Sequence, residues 1–259
     1  MHSPPSPHSR ESGQAAVEAA LTLPLTVFLI LGILQLFLMQ QARIMAEYAA
    51  FRATRAGSVR HGSCEAMTDA AILGVLPTFH SFLARRGAGL SPGQRLGMAF
   101  GQRKGNLYNP AMDGGHTGAI VWIIRDSPLG VTGSEDVNFD EPRTPAQVDA
   151  NRLETRLVFW FPLRIPFANW VISRMMLAHW GYMTYTSQNP LMLTQRATWT
   201  QSPTMTMSLE SAIVNELLTR VASEQYVIPI HASASLRMMT PAQGQFFLTK
   251  NCPPAPETL

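Results

Sequence analysis

The longest apolar segment of the chain lies close to its N-terminus. Residues 19–38 contain no charged side chain, and their polar members are Thr22, Thr26 and Gln35. At about 1.5 Å per residue, these twenty residues would cover the roughly 30 Å hydrocarbon core of a bilayer. The pattern therefore predicts a membrane-spanning helix. The next segment, QQARIMAEYAAFRATRAGS, is polar and rich in helix formers, so we expect the helix to continue towards residues 55–57.

Beyond this helix the periodicity alternates between helical and extended patterns. Apolar residues at helical spacing predict a helix over residues 65–86, interrupted at Pro77, and a Gly- and Pro-rich loop up to residue 115. The run AIVWII at residues 119–124 predicts a short buried strand. Strict alternation over residues 152–161 predicts a second strand with one face in the core and the other in water.

The last hundred residues contain three further predicted elements. FANWVISRMMLAHW, residues 167–180, predicts an amphipathic helix that packs in the core or lies on a membrane surface. A strand is predicted over residues 195–200, and a helix that opens at Ser208 carries Glu216 and Arg220 as an i, i+4 pair. We expect an extended tail after Pro241. The fold class is therefore α+β, with a small antiparallel sheet.

The charge composition argues against nucleic acid as a partner. The 259 residues carry a net charge of +3, and 14% of them are charged. Arg43, Arg52, Arg55 and Arg60 follow the span, but a nucleic-acid surface usually has a denser basic stripe with aromatic side chains to stack on bases. We therefore expect these arginines to form a solvated helix face, and no nucleic acid to bind.

Two cysteines, Cys64 and Cys252, lie near opposite ends of the part that follows the span. They do not form a C-x-x-C motif and have no His pair at ligand spacing, which argues against a structural zinc site. If this part is exported, a disulfide between them is the natural hypothesis. Two unpaired buried thiols are the alternative.

Catalytic motifs are not visible. None of the seven histidines forms H-E-x-x-H, and neither G-x-S-x-G nor S-x-x-K occurs. The sequence therefore predicts no catalytic residues, no metal and no cofactor. One enzymatic reading stays open, in which Asp113, His116 and Asp126 converge around a predicted turn.

Glu18 lies immediately before the apolar run. It is acceptable there as an interfacial carboxylate near a helix N-terminus, where the helix dipole favours negative charge. A second interpretation starts from the surrounding residues, GQAAVE. If a peptidase cut after Gly13, Gln14 would become the amino terminus and Glu18 the fifth residue. A carboxylate one helical turn from a free amino group is suited to pairing with the terminus of a neighbouring copy.

The stretch GQAAVEAALTLPL and its long apolar helix closely resemble the TadE/TadG-like family of the Tad (tight adherence) pilus machinery, which is type IV pilin-like. The resemblance covers about residues 13–58. It implies a prepilin-type leader over residues 1–13, cut between Gly13 and Gln14, and Glu18 as the assembly carboxylate. A transmembrane and extended helix would follow over residues 14–60, and an extracytoplasmic α+β domain over residues 61–259.

The same resemblance implies a minor pseudopilin-like structural component of a Tad-type pilus or related secretion system, without catalysis. Its partners would be the bacterial inner membrane, a prepilin peptidase, other pilin or pseudopilin subunits and the Tad assembly platform. The alternative function is a signal-anchored extracytoplasmic binding or adhesion protein outside any filament.

The expected orientation of the protein in the membrane is inferred from the leader. The positive-inside rule alone would place the domain in the cytoplasm, because the leader has one arginine, Arg10, and four follow the span. We expect the reverse, since the leader motif must face a peptidase on the cytoplasmic side. The protein would then cross the inner membrane once, with a cytoplasmic N-terminus and a periplasmic domain.

Overall fold

The computed structural model describes residues 8–80, 89–129, 131, 151–180 and 210–259. Its elements are α1 (His8–Val59), α2 (Cys64–Phe79), α3 (Pro92–Gly101), β1 (Val121–Ser127), β2 (Arg152–Pro162), α4 (Ala168–His179), α5 (Ser211–Ala222), β3 (Val227–Arg237) and a 3₁₀ turn (Gly244–Phe246). The strands form one antiparallel sheet in the order β1-β2-β3. The predicted α+β class with a small antiparallel sheet is therefore confirmed.

Helix α1 has two halves with different surroundings. Its N-terminal half is the exposed apolar run, and the helix continues as predicted as far as Val59. Its C-terminal half packs against α2 and the sheet through small buried residues: Ala42, Ala46, Ala49, Ala50 and Ala53. Small side chains let the helix backbones approach closely. The domain core therefore extends into α1, across the predicted boundary at residue 60.

Helix α2 passes through the predicted break at Pro77 and ends at Phe79. Pro77 lies in its last turn, so the missing N–H and the ring disturb only the end of the helix. His80 is extended and ends the helix earlier than predicted, and residues 81–86 lie outside the described residues.

Strand β2 is the centre of the sheet and is more buried than predicted. The expected alternation holds from Arg152 to Arg156, but both faces are buried from Leu157 onward. The alternation places Trp160 on the water-facing side. In the structure its ring is covered instead: the Trp122 ring packs edge-on against it, with 5.0 Å between the ring centroids, and the Arg220 guanidinium lies 4.7 Å from the Trp160 ring centroid. The prediction of a water-facing side is therefore wrong for the second half of this strand.

One helix and one strand were not predicted. Helix α3 lies where a loop was expected, and its start is a capping box: Ser91 Oγ accepts from Gln94 N while Gln94 Oε1 accepts from Ser91 N. Strand β3 was also missed. It pairs with β2 along its whole length and contains Pro229, which is tolerated because β3 is an edge strand.

Helix α5 begins at Ser211, three residues after the predicted start, and its Glu216–Arg220 pair is present at 2.7 Å. The predicted cap Ser208 and the predicted strand at residues 195–200 lie outside the described part of the chain.

The C-terminal tail is held against the domain and is not simply extended. The Arg125 guanidinium donates to the carbonyls of Gly62, Phe246 and Lys250 at 2.7–3.1 Å and also contacts the Thr249 carbonyl. Burial lowers the pKa of Arg125 to about 10, which leaves it charged at neutral pH. A disulfide joins Cys64 to Cys252, 188 residues apart. The Arg125 hydrogen bonds and this disulfide therefore both fix the tail beside the start of α2.

Candidate assembly helix

Glu18 lies on the fully exposed part of α1. Apolar neighbours surround it: Val17 and Leu21 are 62% and 72% exposed. Within the part of the chain that the structure describes, no cation lies within ion-pair distance of its carboxylate. It is also the single charged residue between Glu11 and Arg43. The helix thus presents one unpaired carboxylate on an otherwise apolar surface.

The apolar surface runs all round this part of the helix. Its most exposed large members include Leu21, Leu23, Leu25, Leu29, Ile33 and Phe37. The helix qualifies as a candidate membrane span over Ala16–Val59, with a mean hydropathy of 2.3 in its most apolar window and 6% of that window buried. A helix that is apolar on every side and unburied needs lipid or other apolar helices as its surroundings.

The two threonines inside the span form hydrogen bonds within the helix. The Thr22 hydroxyl donates to the Glu18 carbonyl at 2.9 Å, and the Thr26 hydroxyl donates to the Thr22 carbonyl at the same distance. Such back-bonding satisfies a hydroxyl without water, which the hydrocarbon core requires. Pro24, which removes one backbone donor, lies between these two threonines.

The predicted cleavage residues lie in the first turns of the same helix. Gly13 and Gln14 are inside α1, and Gln14 precedes Glu18 by four residues. Positions four apart lie on one face of a helix, about 6 Å along its axis. Gln14 and Glu18 therefore share a face at the end of α1 that is remote from the domain.

The junction between span and domain is not visible in the sequence. Gln35 appeared only as a polar member of the apolar run, but its side chain is completely buried, and its Oε1 accepts a hydrogen bond from Ile165 N at 3.0 Å. Ile165 follows β2 and precedes α4. This bond ties the corner between β2 and α4 to the C-terminal end of the span.

Further along α1, the predicted cationic face is present. Arg52, Arg55 and Arg60 are exposed, which confirms the prediction of a solvated face. With Tyr48 and Phe51 they line a groove of about 720 Å³ between α1 and α2, and the Arg52 guanidinium lies 5.8 Å from the Tyr48 ring centroid.

The three residues of the enzymatic reading do not converge. Asp113 and His116 meet, with His116 Nδ1 2.7 Å from the Asp113 carbonyl, but the Asp113 carboxylate is paired at 2.6 Å with Arg103, and both side chains are fully buried. Asp126 pairs instead with Arg156 at 2.8 Å. No group of three His, Cys, Asp or Glu that could hold a metal occurs among the described residues. The Asp113 cluster is thus a buried structural ion pair.

Comparison with known families identifies the N-terminal segment. Residues 13–55 match the family model of TadE-like proteins. The predicted family resemblance is thereby confirmed, and the TadE-like segment ends inside α1, before the sheet. It indicates a component associated with the Tad pilus, and the apolar helix fits a single-pass membrane protein. Neither a curated protein nor a solved structure matches the chain.

Proposed function

We propose that this protein is a minor pseudopilin-like structural component of a Tad-type pilus or a related secretion system, and that it assembles through α1 after its leader is removed. The observation that supports this best is the placement of Glu18. Among the described residues it has no cation at ion-pair distance, and it lies at the edge of an unburied apolar helix, four residues after Gln14 and inside the TadE-like segment.

The subunits would assemble through the Glu18 carboxylate and the amino group freed at Gln14. Cleavage of the Gly13–Gln14 bond by a prepilin peptidase frees an amino group on the helix face that carries Glu18. In a bundle of such helices, the Glu18 carboxylate of one copy pairs with the amino terminus of a neighbouring pilin or pseudopilin. An unpaired carboxylate in hydrocarbon is costly, so this pairing fixes the axial register of the helices.

The proposed orientation places the leader in the cytoplasm and the domain in the periplasm, next to the Tad assembly platform. The Cys64–Cys252 disulfide supports it, because such bonds persist in the periplasm and are rare in the cytoplasm. We give the disulfide more weight than the arginines after the span, which are exposed on α1 or directly after it, where the helix packs with the domain.

The test is the intact mass and N-terminal sequence of the protein recovered from membranes. A chain that begins at Gln14 supports prepilin-type processing. A chain that still begins at Met1 contradicts it and favours the second candidate, a signal-anchored binding or adhesion protein. The observation behind that candidate is the groove lined by Arg52, Arg55 and Arg60 and by one acid, Asp69, whose net positive charge suits an acidic ligand.

A further inference from the structure

Helix α4 exposes apolar side chains on the face that points away from the domain. Phe167, the residue before its first turn, is 75% exposed, Trp170 is 46% exposed and Met175 is 59% exposed. Ala168, Ser173 and Leu177 of the same helix are buried in the core. A helix that packs one face on a domain normally directs charged residues outward. Here the sequence ANWVISRMMLAH contains one charged residue, Arg174, and no acid.

Phe167 adopts an unusual conformation. Its φ is +65°, in the left-handed region that bulky L-residues rarely adopt. Such strain persists only where surrounding structure imposes it, and it clusters at functional sites. At this corner it accompanies an aromatic ring that is directed outward, away from the core.

The position of α4 along α1 identifies what lies against this face. Gln35, which is bonded to Ile165, precedes the last residue of the apolar run by three residues, or about 4.5 Å along the helix. Leu38 and Met39 of α1 and Met176 of α4 all pack against the same core. Interfacial helices insert their apolar face about 5–10 Å into the boundary between headgroups and acyl chains, so the corner lies close to the level of such helices.

We propose that α4 lies in the interfacial layer of the membrane that α1 crosses, on the domain side, with Phe167, Trp170 and Met175 in contact with phospholipid. Aromatic side chains favour this layer. The proposal rests on α1 spanning a membrane but not on its incorporation into a filament. Lipid is the occupant because the segment that leads into α4 is bonded to the span at Gln35.

The contact has a consequence for assembly. A subunit whose domain rests on the leaflet through α4 must withdraw these side chains from lipid before its span can leave the membrane. Helix α4 would therefore retain unassembled subunits at the membrane surface with the domain held close to the bilayer.

Photo-crosslinking tests the contact directly. The full chain is reconstituted into vesicles of phosphatidylethanolamine and phosphatidylglycerol, with benzoylphenylalanine replacing Phe167 or, in a second variant, Met175. Leu29 in the span, 56% exposed, is the positive control. Leu248, 87% exposed, is the matched negative control because Arg125 and the disulfide hold its segment beside Gly62, about 40 Å along α1 from Gln35.

We expect phospholipid adducts, identified by mass, at positions 167, 175 and 29 and none at 248. An adduct to a second copy at position 167, or no adduct at 167 and 175 while position 29 is labelled, would overturn the proposal. Equal lipid labelling at position 248 would overturn it as well, and so would the absence of lipid at position 29.

The N-terminal sequence of the same preparation separates this proposal from the pilus proposal. Lipid adducts on a chain that begins at Met1 support the membrane contact and contradict prepilin processing. A chain that begins at Gln14 without adducts at positions 167 and 175 gives the opposite result.

Discussion

Gly74 of α2 lies directly on Ala49 of α1. A β-carbon at position 74 would be 2.7 Å from the Ala49 β-carbon and 2.8 Å from its α-carbon. The two helices therefore touch through their backbones, which explains why the buried face of α1 is built almost entirely of alanine.

Gly74→Ala should destabilise the domain. The added methyl group meets backbone atoms that cannot move aside, and overpacking of this kind costs about 1–3 kcal/mol. It outweighs the gain in helix propensity of about 1 kcal/mol. Chemical denaturation of the protein in detergent, followed by tryptophan fluorescence, measures the change. Gly97→Ala in α3 is the control, because nothing lies within 4 Å of its new β-carbon, and it should be neutral or slightly stabilising. Equal effects of the two substitutions would argue against a close contact at Gly74.

Truncation tests where the folded unit begins. A chain that starts at Gln40 keeps the alanine face of α1 and should unfold cooperatively. A chain that starts at Gly62 loses that face and exposes the buried side of α2, including Met67, Ala71 and Val75. It should aggregate or show no cooperative transition in circular dichroism. Cooperative unfolding of the shorter chain would show that α1 is dispensable for the core.

Glu18→Ala should leave leader cleavage intact but reduce incorporation into filaments, because the axial pairing is lost. Glu47→Ala is the matched control. Glu47 is a carboxylate on the same helix, 61% exposed and paired with Arg43 at 3.6 Å, outside the apolar run. The amounts of each variant in the membrane fraction and in the sheared-pilus fraction show whether the Glu18 variant alone is incorporated less. Unchanged incorporation of the Glu18 variant would remove the role assigned to its carboxylate.

Asp113→Ala should cost about 3–5 kcal/mol in the free energy of unfolding, because it leaves the Arg103 charge buried and uncompensated. Asp126→Ala, which removes a half-exposed partner of Arg156, should cost no more than about 1 kcal/mol. Arg156 also keeps its contact with Glu210 at 2.7 Å. Denaturation midpoints of the two variants give the comparison. Similar losses would contradict the assignment of Asp113 to the core.

Acidification should destabilise the domain through His80. Burial, assisted by the charge of Arg103, lowers the pKa of His80 below its usual value of 6.5. The unfolded chain therefore takes up a proton first. The stabilising contribution is present above pH of about 6.5 and is lost as the pH falls from there towards the folded-state pKa.

Denaturation midpoints of wild type and His80→Gln between pH 7.5 and 5 measure this effect. The variant should lose less stability over that interval. Part of the dependence should remain, because burial also lowers the pKa of His231. Identical slopes for the two proteins would exclude His80 as a contributor.

Local signals were enough to predict much of this structure. The long helix was predictable because its apolar run is continuous, and the first half of β2 because alternation requires only one covered face. Helix α3 was also predictable in principle, since Ser91, Pro92 and Gln94 form a capping-box pattern that was read as loop.

The remaining features depend on contacts between distant segments. Trp160 is buried because Arg220 of α5 covers it, and no local pattern near β2 encodes that contact. Pro229 masked β3, because proline argues against a central strand but is acceptable at an edge. The bond from Ile165 to Gln35 joins residues 130 apart, so neither residue alone indicates the junction between span and domain.

The alanine face of α1 also determines how the subunit would bear mechanical load. Tension applied along the apolar half of α1 reaches the domain through contacts that run parallel to the helix axis over residues 42–53, about 16 Å. Contacts loaded in this direction share the force in shear and do not open one after another. The subunit should therefore resist extension along α1 more strongly than a force that peels α1 away from α2.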